Sequence, residues 1–372
     1  MVPVIQTADA QNASKIDVWL GTGSAKNSKG IYYCQLDTNS GKLSDSELVA
    51  EISGPGFLTM HPSLNVLYAA GTLDSAGCIA AYKIIGPGKL ELIESIPTGD
   101  GKAAHVSVSA DGQMLLCAQY GGGSTAAFRL ADDGSFDSQT ALIKHEGGSG
   151  VYEKRQDAPH AHWTGFSPDG RFAMVPDLGL DAVVIYEVDL DAKAITPHGQ
   201  AATPPGSGPR HMKFHPNGKH AYVLNELALS ISTFDYAAEQ GTMTLRDTVP
   251  TVSESEKERE KFESCSEIRI HPNGNFLYAA NRGHDTITVF SIAGDGSITE
   301  IQNEHVRGSI PRNFNIDPSG KWLLVGGQAS HTLACFEIDE ASGMLTYNQQ
   351  IISTPAPICV VFGPESSSGH LR

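Results

Sequence analysis

A short hairpin motif recurs six times along the 372-residue chain and limits its possible folds more than any other feature. Each copy is an apolar run, a turn such as Pro-Asp-Gly, and a second apolar run, as in WTGFSPDGRFAMVPD and EIRIHPNGNFLYAAN. The turn prolines, or the residues equivalent to them, stand at 62, 110, 168, 216, 272 and 318. Such turns between β-rich segments predict hairpins, and a period of about 50 residues is typical of repeat folds.

Each hairpin is followed by two further β-rich segments, such as DTITVFSI and MLTYNQQI. Four antiparallel strands in a repeat of this length predict one blade of a β-propeller. The two ends of the chain supply a seventh blade. The C-terminal APICVVFGP matches a first strand, and the N-terminal VWLGTGSAKNSKGIYYCQLDTNSGKL matches strands two to four. The sequence therefore predicts an all-β, seven-bladed β-propeller of four-stranded antiparallel blades, closed by pairing of the N- and C-terminal segments in one shared blade.

This propeller is predicted to be a single domain over residues 1–372, with residues 1–15 and 366–372 flexible. In the shared blade, the segment Ile358–Phe362 is expected to pair with Val18–Gly21 as the innermost strand. Such closure would pair both edges of the ring and leave no open blade.

The charge balance restricts the possible partners. The chain has 42 acidic residues against 26 lysines and arginines, for a formal net charge of −16. Phosphate backbones and anionic lipids attract basic surfaces, so neither nucleic acid nor a membrane is an expected partner. The longest charge-free stretch, Ile52–Leu73, is interrupted by prolines and glycines, which argues against a membrane span.

The six cysteines include no CxxC pair, and most lie in apolar, strand-like segments. This pattern predicts buried free thiols in a reducing compartment. The N-terminus has neither the basic nor the apolar region of a signal peptide. We therefore expect a cytoplasmic protein, either a monomer or a weak homo-oligomer. A secreted or periplasmic location remains open, because a trimmed signal peptide leaves no trace in the mature sequence.

One end of the predicted propeller carries the chemically diverse residues. The residue six positions before each turn proline and the residue ten positions after it lie at the end opposite the hairpin turns. Those positions include Tyr120, His162, Arg210, Glu226, Arg282, Arg312 and Gln328. The two longest intervals between hairpins, which contain GGSGVYEKRQDAPHAH and SESEKEREKFESCS, also reach this end. Variation in a regular repeat concentrates where ligands bind, so we predict the functional site here.

Four segments of the chain resemble the seven-bladed propeller lactonases. They are DAPHAHW, DLGLD, GPRHMKFHPNGKHAYVLNE and YAANRGHDTITVF, and the resemblance covers nearly the whole chain. That family includes the propeller-type 6-phosphogluconolactonase and the fungal carboxymuconate lactonizing enzyme. The resemblance implies a site made of a histidine from the HxH segment, two arginines and a glutamate. The matching residues are His160 or His162, Arg210, Glu226 and Arg282.

These residue types suit the hydrolysis of a small anionic lactone, and the family resemblance makes 6-phosphogluconolactone the first candidate. Glu226 or the active histidine could activate water, and paired arginine donors could bind a phosphate, a carboxylate or an oxyanion. Arg312, Tyr120 and Gln328 are expected to be further substrate contacts. A carboxymuconate-type cycloisomerase and a noncatalytic propeller that binds partners are the alternative hypotheses.

The other distinctive residues are predicted to be structural. His160 and His162 could share a metal, but no third ligand has suitable spacing, so neither a metal nor another cofactor is expected. The histidines that directly precede three of the turn prolines are interpreted as turn elements. Asp177 and Asp181 bracket a tight link between two strands and are expected to cap backbone amides.

Overall fold

The computed structural model describes residues 15–73, 75–259 and 264–365. Their strands form seven four-stranded antiparallel sheets, which are arranged as blades around a common axis. The predicted fold class is therefore confirmed. Of the ends that were predicted to be flexible, only Lys15 is described, and it begins the first strand. The remainder, residues 1–14 and 366–372, lies outside the described residues.

The blades follow one another in chain order, and each inner strand lines the central channel. Blade 1 contains β1 (Lys15–Thr22), β2 (Gly30–Asp37), β3 (Glu47–Glu51) and the C-terminal strand β28 (Pro357–Glu365). Blade 2 contains β4 (Ser53–Met60), β5 (Val66–Leu73), β6 (Ala76–Gly86) and β7 (Lys89–Pro97). Blade 3 contains β8 (Ala103–Val108), β9 (Met114–Gln119), β10 (Ser124–Leu130) and β11 (Phe136–Lys144). Blade 4 contains β12 (Gly165–Phe166), β13 (Phe172–Asp177), β14 (Ala182–Asp189) and β15 (Ala194–Ala202).

The other three blades have the same order. Blade 5 contains β16 (Pro209–Phe214), β17 (His220–Asn225), β18 (Ser230–Ala237) and β19 (Thr242–Pro250). Blade 6 contains β20 (Ser264–Ile270), β21 (Phe276–Arg282), β22 (Thr286–Ile292) and β23 (Ile298–His305). Blade 7 contains β24 (Pro311–Ile316), β25 (Trp322–Gly327), β26 (Thr332–Ile338) and β27 (Leu345–Ser353). The helix α1 (Glu254–Lys257) links blades 5 and 6, and no described helix is long and apolar enough to cross a membrane.

The predicted closure of the ring is confirmed. Strand β28 pairs antiparallel with β1, and Val18, Trp19, Leu20 and Gly21 lie opposite Phe362, Val361, Val360 and Cys359. The inner strand of blade 1 thus comes from the far end of the chain. The apolar core lies between the blades, because alternate side chains of each strand face a neighbouring sheet.

Removing residues 355–372 is expected to leave the protein insoluble or poorly folded. The truncation deletes the inner strand of blade 1 and exposes the hydrogen-bonding edge of β1, which is a template for aggregation. Soluble yield and the melting temperature would measure the effect. A soluble truncated protein with an unchanged melting temperature would contradict the proposed role of closure.

Histidines before the turn prolines connect one blade to the next, as predicted for turn elements. The Nε2 atoms of His61, His215 and His271 lie 2.9 Å from the carbonyl oxygens of the hairpin glycines 112, 274 and 320 in the following blade. In each case Nδ1 accepts a backbone N–H within the same turn. These histidines therefore fix the hairpin end of the propeller and contribute no chemistry to the opposite end.

All six cysteines are buried and none forms a disulfide. Burial raises the pKa of Cys34, Cys117, Cys265, Cys335 and Cys359 to about 12, so these thiols stay protonated at neutral pH. Their predicted burial is confirmed.

Candidate active site

A β-bulge at the start of the inner strand positions the residues of the site. In six blades the register between the inner strand and its neighbour shifts at this point. In blade 5, Pro209 pairs with Asn225 and His211 pairs with Leu224, so Arg210 is left without a partner in the ladder. A bulge of this kind lets two consecutive residues point the same way. Arg210 and His211 consequently both line one cavity at the end of the channel.

This cavity, which we call the active cavity, has a volume of about 500 Å³ and lies at the end of the channel opposite the hairpin turns. Six of the predicted site residues line it: Tyr120, His162, Arg210, Glu226, Arg282 and Arg312. Four polar residues that were not predicted also line it: Lys102, Arg155, His211 and Asn313. The structure therefore brings these six predicted residues together in one cavity, and their roles stay a prediction.

Glu226 is the centre of the ion pairs in the active cavity. Its Oε2 atom lies 3.0 Å from Nε of Arg210 and 3.2 Å from Nη2 of Arg282, and its Oε1 atom lies 2.6 Å from Nη2 of Arg155. Burial opposes ionisation, but Arg282 and Arg210 outweigh it and hold the pKa of Glu226 below its usual range. The carboxylate is therefore a weak base that orients three guanidinium groups.

Positive charge exceeds negative charge in the active cavity. Five cationic side chains line it, and among the described residues Glu226 is the only carboxylate that does so. Burial, together with Arg312 and Arg282, lowers the pKa of Arg210 to about 9, and burial with Arg282 lowers that of Arg312 to about 10. Arg312 and Lys102 form no hydrogen bond or ion pair with another described residue. An anionic ligand would relieve this excess of positive charge.

His162 lies in the active cavity with an unused hydrogen-bonding atom. The residue is 5% exposed, and its Nδ1 atom has no hydrogen-bond partner among the described residues. Burial, reinforced by the charge of Arg210, holds the pKa of His162 well below 6.5. The imidazole is therefore uncharged at neutral pH and can accept a proton.

His160, the other histidine of the HxH segment, lies behind the wall of the active cavity. Its ring stacks on Tyr120 at a centroid distance of 4.4 Å, and its Nδ1 atom lies 2.9 Å from the carbonyl oxygen of Tyr120. Its backbone N–H donates to Asp177. His160 thus supports Tyr120, and His162 is the histidine that the cavity contains.

Gln328 does not line the active cavity. Its backbone N–H donates to the carbonyl oxygen of Ile310, and its side-chain amide lies beside Gly23 in blade 1. The repeat places Gln328 at the predicted end of the propeller, but its side chain lies against blade 1 and not in the active cavity. The geometry therefore gives no support to the prediction that it contacts the substrate.

The loop between β11 and β12 brings Arg155 over the active cavity. The adjacent side chain of Gln156 anchors this loop by donating to the carbonyl oxygen of Leu178 and to Oδ1 of Asp181. Asp181 also accepts the backbone N–H groups of residues 206 and 208, and Asp177 accepts those of residues 160, 179 and 180. The predicted capping role of these two aspartates is confirmed.

A glycine in the DLGLD segment permits the HxH segment to pack closely. A Cβ atom at Gly179 would collide with the carbonyl oxygen of Ala158. Only glycine therefore allows the chain that carries His160 and His162 to lie against blade 4 at this distance.

The residues that the sequence analysis missed have recognisable signals. His211 and Asn313 directly follow rim positions, and the alternation of the strand directs them to the channel. Arg155 lies in one of the two long intervals assigned to this end, but it occupies no repeat position that would distinguish it from its neighbours. Lys102 directly precedes β8, the inner strand of blade 3. In the described part of the chain, no group of three or more His, Cys, Asp or Glu could hold a metal ion. The independence from metal ions stays a prediction.

The fold and this cavity together define a class of protein: a seven-bladed propeller with one arginine-rich cavity at the end of its channel. The family described as "Lactonase, 7-bladed beta-propeller" matches residues 17–362. The chain therefore belongs to the seven-bladed β-propeller lactonase family, and the protein is an enzyme of the lactonase class.

Individual relatives agree with this family. The chain is 32% identical over 346 residues to 6-phosphogluconolactonase of Bacillus subtilis, a match that covers 92% of this chain and 97% of that protein. It is 34% identical over 325 residues to 6-phosphogluconolactonase of Formosa agariphila, covering 85% of this chain and 90% of that protein. The solved structure of a periplasmic gluconolactonase from Pseudomonas aeruginosa is similar with a TM-score of 0.87 and 27% identity, covering 95% of this chain and 100% of that one.

Proposed function

We propose that the protein hydrolyses an anionic sugar lactone, with 6-phosphogluconolactone as substrate and 6-phosphogluconate as product. The observation that carries this proposal is an uncharged, unpaired imidazole, that of His162, in a cavity with an excess of positive charge. The names of two relatives support the phosphorylated substrate. The name of the Pseudomonas relative supports an unphosphorylated sugar lactone as the second candidate.

In the proposed mechanism His162 acts as the general base. The imidazole takes a proton from a water molecule as the water oxygen attacks the lactone carbonyl carbon. Guanidinium groups of Arg210 and Arg282 stabilise the negative charge that develops on the carbonyl oxygen. The tetrahedral intermediate then collapses, the ring carbon–oxygen bond breaks, and the leaving oxygen takes the proton from the imidazolium. Water is added across the ester, and His162 returns to its uncharged form.

Glu226 has a different role in this proposal. Sequence reasoning left Glu226 and the histidine as alternative bases. Arginines contact both oxygens of the Glu226 carboxylate, so neither oxygen is free to take a proton from water. Nδ1 of His162, in contrast, has no partner among the described residues. We assign it the positioning of Arg210 and Arg282. Arg312 and Lys102, which have no partner among the described residues, are assigned to the anionic group of the substrate.

A panel of lactones tests the proposal. Acid release would be followed with fresh 6-phosphogluconolactone, with unphosphorylated gluconolactone and with a carboxymuconolactone, each corrected for spontaneous hydrolysis. The proposal expects the highest kcat/KM for the phosphorylated lactone. Rapid interconversion of a carboxymuconate and its lactone, without hydrolysis of either sugar lactone, would favour the cycloisomerase. No turnover of any compound would favour the noncatalytic alternative.

The pH dependence of kcat/KM tests the role of His162. We expect kcat/KM to stay flat from about pH 7 to pH 6, whereas a histidine with an ordinary pKa of about 6.5 would lose activity there. Burial and Arg210 lower the pKa of His162, so the active uncharged form persists to lower pH. Initial rates, corrected for spontaneous hydrolysis, would measure the profile. An acid limb centred near the ordinary histidine value would contradict this assignment.

Arg155 is expected to strengthen the binding of phosphorylated substrates relative to unphosphorylated ones. It is the cavity arginine that lies on a loop, and its side chain is 40% exposed, so it can leave Glu226 for a phosphate at the cavity mouth. We expect Arg155→Met to raise KM for the phosphorylated lactone about tenfold and to change KM for gluconolactone much less, since a charge-assisted contact is lost only with the former. Arg155→Lys, which keeps the charge, is the matched control. Equal increases for both substrates would contradict this role.

Two further predictions stay open. A cytoplasmic location is supported by the six buried free thiols, which suit a reducing compartment. The expectation of a monomer or weak homo-oligomer has its test in the molecular mass of the protein in solution.

A further inference from the structure

The hairpin end of the channel contains a second cavity, also of about 500 Å³. We call it the hairpin-end cavity. Among the residues that line it are those three positions before the turn prolines, which point into the channel because they alternate with the apolar packing residues. In blades 5 and 6 these residues are Lys213 and Arg269. The active cavity contains neither of them.

Lys213 is an unpaired cation in this cavity. Its Nζ atom lies 5.1 Å from the ring centroid of Trp163, a cation–π distance. It makes no hydrogen bond or ion pair with any described residue. Burial and the charge of Arg269 lower the pKa of Lys213 to about 7, although the charge of Glu267 favours the protonated form. Lys213 is partly buried and, with this pKa, is only about half protonated at neutral pH. A bound anion would raise its pKa and stabilise the charged form.

Arg269, beside Lys213, has a guanidinium group whose hydrogen bonds are few and long. Its Nη2 atom lies 3.4 Å from Oε2 of Glu267, and its Nε atom lies 3.4 Å from the carbonyl oxygen of Phe314, both at the long limit for a hydrogen bond. Glu267 is fully buried and also contacts His211 and Asn313, so its charge is shared among several groups. None of the described Asp or Glu residues lines the hairpin-end cavity.

The positive charge is confined to two neighbouring blades. The equivalent positions in the other five blades are uncharged: Thr59, Ser107, Gly165, Asn315 and Val361. Two adjacent cations in a cavity without a carboxylate, within a chain of net charge −16, form a local positive site. The planar fork of an arginine and the ammonium of a lysine together match the oxygens of a phosphate or a carboxylate.

We propose that the hairpin-end cavity is a second anion-binding site, in which Lys213 and Arg269 bind a small oxyanion such as inorganic phosphate or a compact carboxylate. The bound anion would pair with the ammonium of Lys213 and accept hydrogen bonds from the guanidinium of Arg269. The site uses no residue assigned to substrate, so its failure would leave the proposed lactonase mechanism unaffected.

Selenate, a heavy-atom analogue of phosphate and sulfate, would locate the site directly. Crystals of the protein soaked in selenate are expected to show an anomalous peak within hydrogen-bond distance of Lys213 Nζ and Arg269. In Lys213→Met crystals this peak should vanish, while any peak in the active cavity should remain. A wild-type crystal without a peak at the hairpin end, or a peak that persists in Lys213→Met, would overturn the proposal.

Tryptophan fluorescence tests binding in solution. Phosphate titrated at constant ionic strength, against chloride as control, should change the emission of Trp163, which lines this cavity. Lys213→Met should weaken the apparent affinity by about tenfold or more, as expected for loss of a charged contact, and Arg312→Met, in the active cavity, should leave it unchanged. The reverse pattern, or no response in the wild type even if crystals bind selenate, would overturn the proposal. Lys213→Met is expected to fold, because it removes an unpaired charge and keeps a similar volume.

Discussion

Replacing His162 by asparagine is expected to lower kcat by about 10²–10⁴-fold, the usual contribution of a general base. KM and the melting temperature should stay close to those of the wild type. The imidazole is uncharged and its Nδ1 atom has no described partner, so the substitution removes no ion pair and leaves no charge exposed. What is lost is the group that takes the proton from water. Steady-state rates with 6-phosphogluconolactone, corrected for spontaneous hydrolysis, would measure the change.

His160→Asn is the matched control, because it makes the same substitution two residues earlier. His160 stacks behind Tyr120 and does not line the active cavity, so its loss should affect kcat by less than about tenfold. A large loss of kcat in His160→Asn, with His162→Asn within about threefold of the wild type, would transfer the role of base to His160.

Glu226→Gln is expected to reduce both stability and activity. The substitution leaves Arg210 and Arg282 buried without their carboxylate, and breaking a buried ion pair from one side costs roughly 3–5 kcal/mol. The arginines would then lose the orientation needed to stabilise an oxyanion, so kcat should fall by at least about 10²-fold. Denaturant unfolding and initial rates would measure the two effects. The exposed Glu187→Gln, expected within about 0.5 kcal/mol of wild type, is the control.

The stability difference should also depend on pH. Burial opposes ionisation of Glu226, but Arg282 and Arg210 hold the pKa of the folded state below the usual value. The carboxylate therefore stabilises the fold fully above the unfolded pKa of about 4.3, and this contribution declines as the pH falls towards the folded pKa. The unfolding free energies of wild type and Glu226→Gln should accordingly converge in acid. A difference that stays constant from pH 7 to the acid range would contradict this linkage.

The sequence was sufficient to predict the fold because each blade repeats the same local signals. Turn chemistry, strand alternation and the two complementary ends all indicate the same closed ring, and Val18–Gly21 pairs with the predicted C-terminal segment. Counting six residues before and ten residues after each turn proline also predicted that Arg210, Glu226 and Arg282 lie at the same end, where they share one cavity. These assignments depend only on backbone geometry that is regular from blade to blade.

The remaining site residues depend on features that ideal strand alternation and the hairpin motif do not predict. The bulge at Arg210 breaks strand alternation, so both Arg210 and His211 face the cavity, whereas an ideal strand would direct only one of them there. Arg155 reaches Glu226 from a long loop whose path is fixed by tertiary contacts of Gln156. Gln328 shares the predicted end of the propeller but faces blade 1. The position of a residue relative to the turn proline determines where it lies along the propeller axis, but not the direction of its side chain.

The most direct test of the central claim is hydrolysis of 6-phosphogluconolactone by the wild-type protein in water enriched with oxygen-18. The account predicts acid release well above the spontaneous rate, strongly reduced in His162→Asn, with one oxygen-18 atom in the new carboxylate of 6-phosphogluconate. Attack of water at the carbonyl carbon requires the label at that position. Acid release no faster than the spontaneous reaction, or a product whose carboxylate carries no label, would contradict it.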